Sequence, residues 1–247
     1  MDAISEYFSQ INGILDKVIE TQKDAMEKAA RVLADAVVNG NSIFAFGCSH
    51  AGLLALELYY RSGGMALINP VRAPGLNLDV DPATMTSEME RLPEYGRLII
   101  DNQPIKAGDV LIIHSVSGRN TVTVDVCMRA KEIGAFTIAL TSMAASALKS
   151  RHPSGKSLHQ VADLCIDNCG VLGDGVLSVP GVPEKVGPSS TAVGAAILNA
   201  VMSQAVAFVA AAGEIPPVFV SGNLDAGTEH NKKMLAKYKD RIFYMGF

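Results

Sequence analysis

Residues 109–134 read DVLIIHSVSGRNTVTVDVCMRAKEIG, and this stretch decides the fold. Asp109–His114 is a short, nearly unbroken apolar run, the pattern of a strand buried on both faces. Ser115–Asn120 is polar and contains Gly118, so it reads as a turn. Thr121–Ile133 reads as a helix, and Gly134 supplies the residue that most easily takes the left-handed conformation that closes one. Phe136–Leu140 is then a second buried strand. Strands alternating with helices make βαβ units, which need a parallel sheet with helices on both faces.

The same grammar recurs on either side. Upstream, Ile43–Phe46 is apolar and breaks at Gly47-Cys48-Ser49-His50. A run of good helix formers follows and stops at Ser62-Gly63-Gly64. Met65–Ile68 reads as a strand, Asn69–Pro82 as a Pro/Gly-rich loop and Thr84–Glu90 as a short helix, while the stretch around Leu98–Asp101 carries a weaker signal. Downstream, Leu158–Ala162 reads as a short helix, Asp163–Asp167 as a strand and Asn168–Ser190 as a long Gly/Pro-rich connection of the kind that often carries function. Residues 2–39 form an amphipathic helical extension, with Ile11, Ile14, Leu15, Val18 and Ile19 in one stripe that Ala29, Ala30, Leu33, Ala34, Val37 and Val38 continue to a stop at Asn39-Gly40. The expected architecture is a three-layer α/β/α fold with a central parallel sheet, in one domain of residues 1–247. Residues 1–39 would be its N-terminal helices, 40–213 its α/β core and 214–247 its C-terminal extension.

Composition narrows the function classes. The chain has 247 residues, 49% apolar and 19% charged, which excludes intrinsic disorder. Lys and Arg number 21 against 25 Asp and Glu, so no electrostatic footprint for nucleic acid is present. Four cysteines (Cys48, Cys127, Cys165, Cys169) are too few for a disulfide-dense secreted scaffold. The start, MDAISEYFSQ, lacks the basic-then-apolar order of a signal peptide, and a cytoplasmic location is expected. Thr191–Gly213 is uncharged and long enough to span a bilayer. It is built mainly of Ala, carries Asn199, Ser203 and Gln204 in its middle, and has no aromatic belt or basic flank. It therefore reads as a buried core or interface helix, with no membrane contact.

In an open parallel sheet, ligands bind outside the carboxyl ends of the strands. Gly47-Cys48-Ser49-His50 and Ser115–Thr121 both lie between a strand and a helix. Each offers a glycine for a tight turn, hydroxyl donors and the unpaired N–H groups of a helix start. Such residues also serve simply as helix caps. A cap needs one side-chain acceptor, however, and Ser115, Ser117, Arg119, Asn120 and Thr121 supply several donors beyond it. That composition suits a phosphate. Cys48 lies near a helix start, where a thiol pKa can fall, but a nucleophile would also need a base partner.

These residues resemble the SIS (sugar isomerase) domain, whose phosphosugar loop runs Ser-x-Ser-Gly-x-Ser/Thr after a buried strand. Here it appears as Ser115-Val116-Ser117-Gly118-Arg119-Asn120, and the order of elements matches across residues 40–213. Gly47-Cys48-Ser49-His50 resembles the first ligand loop of phosphoheptose isomerases, and Ser189-Ser190-Thr191 resembles a third ligand loop. Asn120 departs from the family's last Ser/Thr, a place Thr121 could take. Zinc-dependent phosphoheptose isomerases carry His and Glu four apart on the helix after the first loop. Aligned on Ser49-His50, those positions are Ala55 and Tyr59, and nearby Glu57 has no His partner, so neither zinc nor another cofactor is expected. The chain as a whole looks closest to a bacterial branch of the family.

The resemblance implies a phosphorylated sugar as ligand and a dimer or tetramer with sites near the subunit boundary. Aldose–ketose isomerisation requires a base at the carbon beside the carbonyl and an acid at oxygen. Glu88 lies where related etherases and isomerases place a carboxylate, though a solvated helix face beside Glu90 is the favoured reading of the residue itself. Glu229 and His230, in the polar run Gly222–Asn231 before the basic stretch Lys232–Lys239, are the other acid/base candidates, reaching a neighbouring subunit's site. Their local role would be a helix start, with Thr228 as cap. Gly155-Lys156-Ser157 is not a P-loop, since Ser150 stands where the glycine should be. Cys165 and Cys169 lack a second pair at zinc spacing. The leading reading is a sugar-phosphate aldose–ketose isomerase. A lyase opening a phosphorylated amino-sugar ether, with Glu88 as base, and a non-catalytic phosphosugar sensor are the alternatives.

Overall fold

The computed structural model describes residues 2–145, 147–223 and 227–245. Five strands, β1 (Ile43–Gly47), β2 (Ile68–Pro70), β3 (Val110–His114), β4 (Phe136–Thr141) and β5 (Leu164–Asp167), form one parallel sheet in the order β2-β1-β3-β4-β5. The period-2 alternation of a strand sorts its side chains to two faces. Ile43, Ala45, Val110, Ile112, Ile138 and Leu140 turn one way, into a core completed by α1 (Ala3–Val38), α2 (Gly52–Leu58) and α7 (Ser190–Ala211). Phe44, Phe46, Leu111, Ile113 and Ala139 turn the other way, onto α4 (Tyr95–Asp101), α5 (Thr121–Ile133) and α6 (Leu158–Val161). This is the expected three-layer α/β/α fold with a central parallel sheet.

The remaining elements are α3 (Met85–Met89), α8 (Gly227–Lys237) and an antiparallel hairpin of β6 (Gly175–Leu177) and β7 (Val186–Pro188). Residues 2–39 are a single helix rather than several, started by Asp2, whose side chain accepts from Ser5 N–H at 3.1 Å. At its far end the Arg241 guanidinium donates to the carbonyls of Ala36 and Val37 at 3.1 Å each, and also to that of Asn41. The uncharged helix α7 has the length and composition to cross a membrane, yet it packs along α1 and α2, burying Val193, Ile197, Val201, Ala205 and Val209.

Three boundaries differ from those expected. The helix after the first loop ends at Leu58, because Tyr59 and Tyr60 leave it to pack edge-on against Tyr244 and Phe219. The second strand is Ile68–Pro70 rather than Met65–Ile68: Met65 and Ala66 instead meet Val218 and Pro217. The weakly marked stretch at 98–101 is the second half of α4, and Gly96 lets that helix lie against α5, since a Cβ there would come within 2.5 Å of the Asp125 Cβ.

Candidate functional site

Gly47 of β1 lies beside His114 of β3, so the two loops leaving these strands share the crevice where the strand order changes direction. A cavity of about 950 Å³ opens there. On the first loop, Gly47 is required by crowding, since a Cβ would lie 2.5 Å from the Ala51 carbonyl carbon. Ser49 takes a left-handed backbone (φ 54°) and its N–H donates to the Leu76 carbonyl at 2.7 Å. Cys48, Ser49 and His50 line the cavity. The Cys48 thiol does not gain from the helix start: burial, and then the charge of Glu90, push its pKa well above the ordinary value.

The second loop is braced from within and from behind. Ser115 Oγ accepts from Gly118 N–H at 3.2 Å, and Gly118 (φ 59°) sits against Thr141, where a Cβ would be 2.9 Å from Oγ1. Ser115, Ser117, Arg119 and Asn120 face the cavity, while Gly118 is buried beneath them. Thr121 turns away, its hydroxyl donating to the Arg151 carbonyl at 3.3 Å, so it does not replace the missing Ser/Thr. The buried Nε of Arg119 has no hydrogen-bond partner among the described residues.

Asn120 connects this loop to two residues that sequence reasoning passed over. Its Nδ2 donates to Glu90 Oε2, and its Oδ1 accepts from Arg151 Nη1 at 2.7 Å. Glu90 and Arg151 both line the cavity. Burial raises the Glu90 carboxyl above its ordinary pKa, against the lowering effects of the Asn120 hydrogen bond and the charges of Arg91 and Arg151. Glu88, the carboxylate singled out from sequence, is exposed and does not line the cavity. Residues two apart on a helix point about 200° apart, so only one of the pair can face inward. Buried Thr86, four residues before Glu90, marks the inward face.

At the start of α7, Ser190 and Thr191 line the cavity, whereas Ser189 is buried behind it. The hairpin side contributes Asp174 and Lys185. Glu229 and His230 are exposed on α8 and do not line the cavity of their own chain. His230 Nε2 lies 3.2 Å from the Val218 carbonyl, and Glu229 lies 3.5 Å from Lys233 Nζ. Residues 224–226 of the same polar run lie outside the described residues. Beneath the site, His114 is buried, its Nδ1 3.1 Å from the Ala51 carbonyl, and burial lowers its pKa to about 4. Among the described residues no cluster of three or more His, Cys, Asp or Glu is placed to hold a metal ion.

The fold recurs in solved structures at low identity. A phosphoheptose isomerase from Francisella tularensis matches with a TM-score of 0.53 and 15% identity, over 83% of this chain and 96% of that one. The sugar isomerase domain of an RpiR transcription factor from Sphaerobacter thermophilus matches with a TM-score of 0.52 and 15% identity, over 97% and 99%. One is an enzyme and the other part of a transcription factor, so the shared fold does not choose between activities. Sequence relatives are much closer. A UPF0309 protein of Shouchella clausii is 42% identical over 246 residues, covering 99% of this chain and 100% of the relative. A UPF0309 protein of Geobacillus thermodenitrificans is 44% identical over 240 residues, covering 97% and 96%. The family model described as SIS domain matches residues 6–142, which include β1, β3, β4 and both ligand loops. With that match and those relatives, the chain belongs to the SIS-domain family.

Proposed function

We propose that this chain binds a phosphorylated sugar and isomerises it between aldose and ketose, with Glu90 moving the proton. The observation that carries the reading is the placement of Glu90, a half-buried carboxyl of raised pKa, on the same cavity wall as Ser117 and Arg119. Ser117, Arg119 and the N-terminus of α5 hold the phosphate. That remote anchor fixes the sugar chain along the cavity toward Thr191 and brings the carbon beside the carbonyl to Glu90. Glu90 takes the proton from that carbon as the carbonyl oxygen is protonated, giving an enediol, and returns it to the neighbouring carbon as the other hydroxyl gives up its proton, while the Asn120 amide keeps the carboxylate aimed. The alternative lyase, opening a phosphorylated amino-sugar ether, would use this carboxylate as its base in place of the exposed Glu88.

The chain works as one unit, a core of residues 40–213 with its two extensions, in the cytoplasm as a homodimer or homotetramer. Exposed Ile4, Phe8 and Ile19 on α1 and Leu53 and Leu56 on α2 support a second copy as the cover. Glu229 and His230 then serve the neighbouring subunit's site, which sedimentation and activity of mixed Ser117 and His230 mutants would test. The isomerase itself is tested by proton NMR in D2O on aldose and ketose phosphates. Exchange at the carbon beside the carbonyl, lost in Glu90→Gln with binding retained, is expected. No exchange with any sugar phosphate, or undiminished exchange in Glu90→Gln, would overturn it.

A further inference from the structure

Two helix N-termini open onto the cavity, those of α5 and α7, and each would attract an anion. They are not equivalent. The carboxylate of Asp174 has already taken the α7 terminus. Asp174 Oδ1 accepts from Ser189 N–H at 3.0 Å, from Ser190 N–H at 2.7 Å and from Ser189 Oγ at 3.1 Å. Its Oδ2 accepts from Ser190 Oγ at 2.8 Å. Asp174 stands just before β6 in a left-handed conformation (φ 68°) and lines the cavity, so the acid is brought to the helix from outside it. At the α5 terminus no carboxylate caps the backbone in this way: Asn120 makes no side-chain cap, its amide being directed at Glu90 and Arg151, and the Val122 N–H donates to the Glu90 carbonyl at 3.1 Å.

We propose that Asp174 sets the direction of the ligand and its charge class: one phosphate at α5, and an uncharged sugar end at α7. This rests on the phosphate-loop reading above and goes beyond it. An anion brought to α7 would find the Ser189 and Ser190 donors engaged and a fixed negative charge in front of the helix start. Lys185, the cation on the same hairpin, forms no ion pair within 4 Å among the described residues, so it does not cancel that charge by contact. A hydroxyl of the sugar, in contrast, can donate to the remaining lone pair of Asp174 Oδ2. The class admitted is therefore sugar monophosphates with a neutral far end. Bisphosphates and phosphosugars carrying a carboxylate at that end are excluded.

The test is the stoichiometry of inorganic phosphate, followed by calorimetry on the full chain and on Asp174→Ala, with the fold of the variant checked by circular dichroism. The native chain is expected to bind one phosphate and Asp174→Ala two. One phosphate in both would overturn the role of Asp174 and leave the α5 loop standing. None in the native chain and one in the variant would support Asp174 while overturning the phosphate-loop reading. Should Asp174→Ala fail to fold, Asp174→Asn keeps the shape and removes the charge. Relative to fructose 6-phosphate, it is expected to bind fructose 1,6-bisphosphate about ten-fold more tightly than the native chain does. Equal affinity of the native chain for the two sugars would overturn the proposal.

Discussion

His152 Nε2 lies 2.9 Å from Asp125 Oδ1, and this pair ties the segment carrying Arg151 to the buried face of α5. The other Asp125 oxygen accepts from Glu94 N–H at 2.9 Å, so one carboxylate positions both a flanking loop and the start of α4. On the far side of the imidazole, Nδ1 faces the Ser154 hydroxyl at 2.7 Å. Asp125→Ala leaves buried donors without partners and is expected to cost about 1–3 kcal/mol in urea unfolding. It should also weaken phosphosugar binding, because Arg151 and Asn120 lose their support. Unchanged stability would show that the pair is incidental.

The serines of the phosphate loop should separate in their effects. Both line the cavity, but Ser115 is buried and accepts a hydrogen bond from within the loop, whereas Ser117 is only half-buried. Ser117→Ala is expected to weaken phosphosugar binding by about 1.5–3 kcal/mol, the range for a hydrogen bond to a charged group, with the melting temperature little changed. Ser115→Ala should lower the melting temperature as well. Calorimetry showing native affinity in a folded Ser115→Ala, Ser117→Ala double variant would remove this loop from the site.

Glu90 should make activity rise with pH. Its raised pKa means that the basic form appears only above the ordinary carboxylate range. The acid limb of kcat/KM therefore lies above that of a solvated glutamate. Stability runs the opposite way: the native carboxyl holds its proton more tightly than the unfolded one, so stability falls as pH rises through the interval between the two values. Glu90→Gln should flatten that component, which unfolding at a series of pH values would reveal.

His114 predicts an acid weakness. Its pKa is about 4 in the folded chain against 6.5 when free, and burial is the main cause. Above pH 6.5 it is neutral in both states. As pH falls from 6.5 to 4, the unfolded chain takes up the proton and the native chain does not, so stability drops by about 3 kcal/mol before levelling off. His114→Gln keeps an N–H for the Ala51 carbonyl and cannot titrate. Its stability should fall less over the same window, and an identical pH slope in both proteins would refute the assignment.

What could be read in advance followed the range of the interactions involved. The helix Thr121–Ile133 was legible to the residue because its closing signal is local: Gly134 does take the left-handed conformation, at φ 97°. β2 was not, because Met65–Ile68 is apolar throughout and its register is decided by strangers, residues 217 and 218 on one side and β1 on the other. The three-residue strands β6 and β7 left no periodic trace in the Gly/Pro-rich stretch 168–190. Within the cavity, Ser115, Ser117 and Arg119 travel with a contiguous motif. Glu90, Arg151 and Asp174 come from separate segments, and nothing local marks an acid as inward-facing.

The Arg241 guanidinium that closes α1 has a bearing on time as well as on space. Its partners Val37 and Ala36 lie 204 and 205 positions earlier in the chain. The helix that covers the apolar stripe of α1, Ser190–Ala211, is also made late. During synthesis α1 therefore leaves the ribosome with its last turn held only by the local N–H groups of Asn39, Gly40 and Asn41 and with its stripe bare, and contacts this distant in sequence form slowly. Synthesis order and folding order run in opposite directions at this helix: it is made before the sheet it packs on and is among the last elements to be completed.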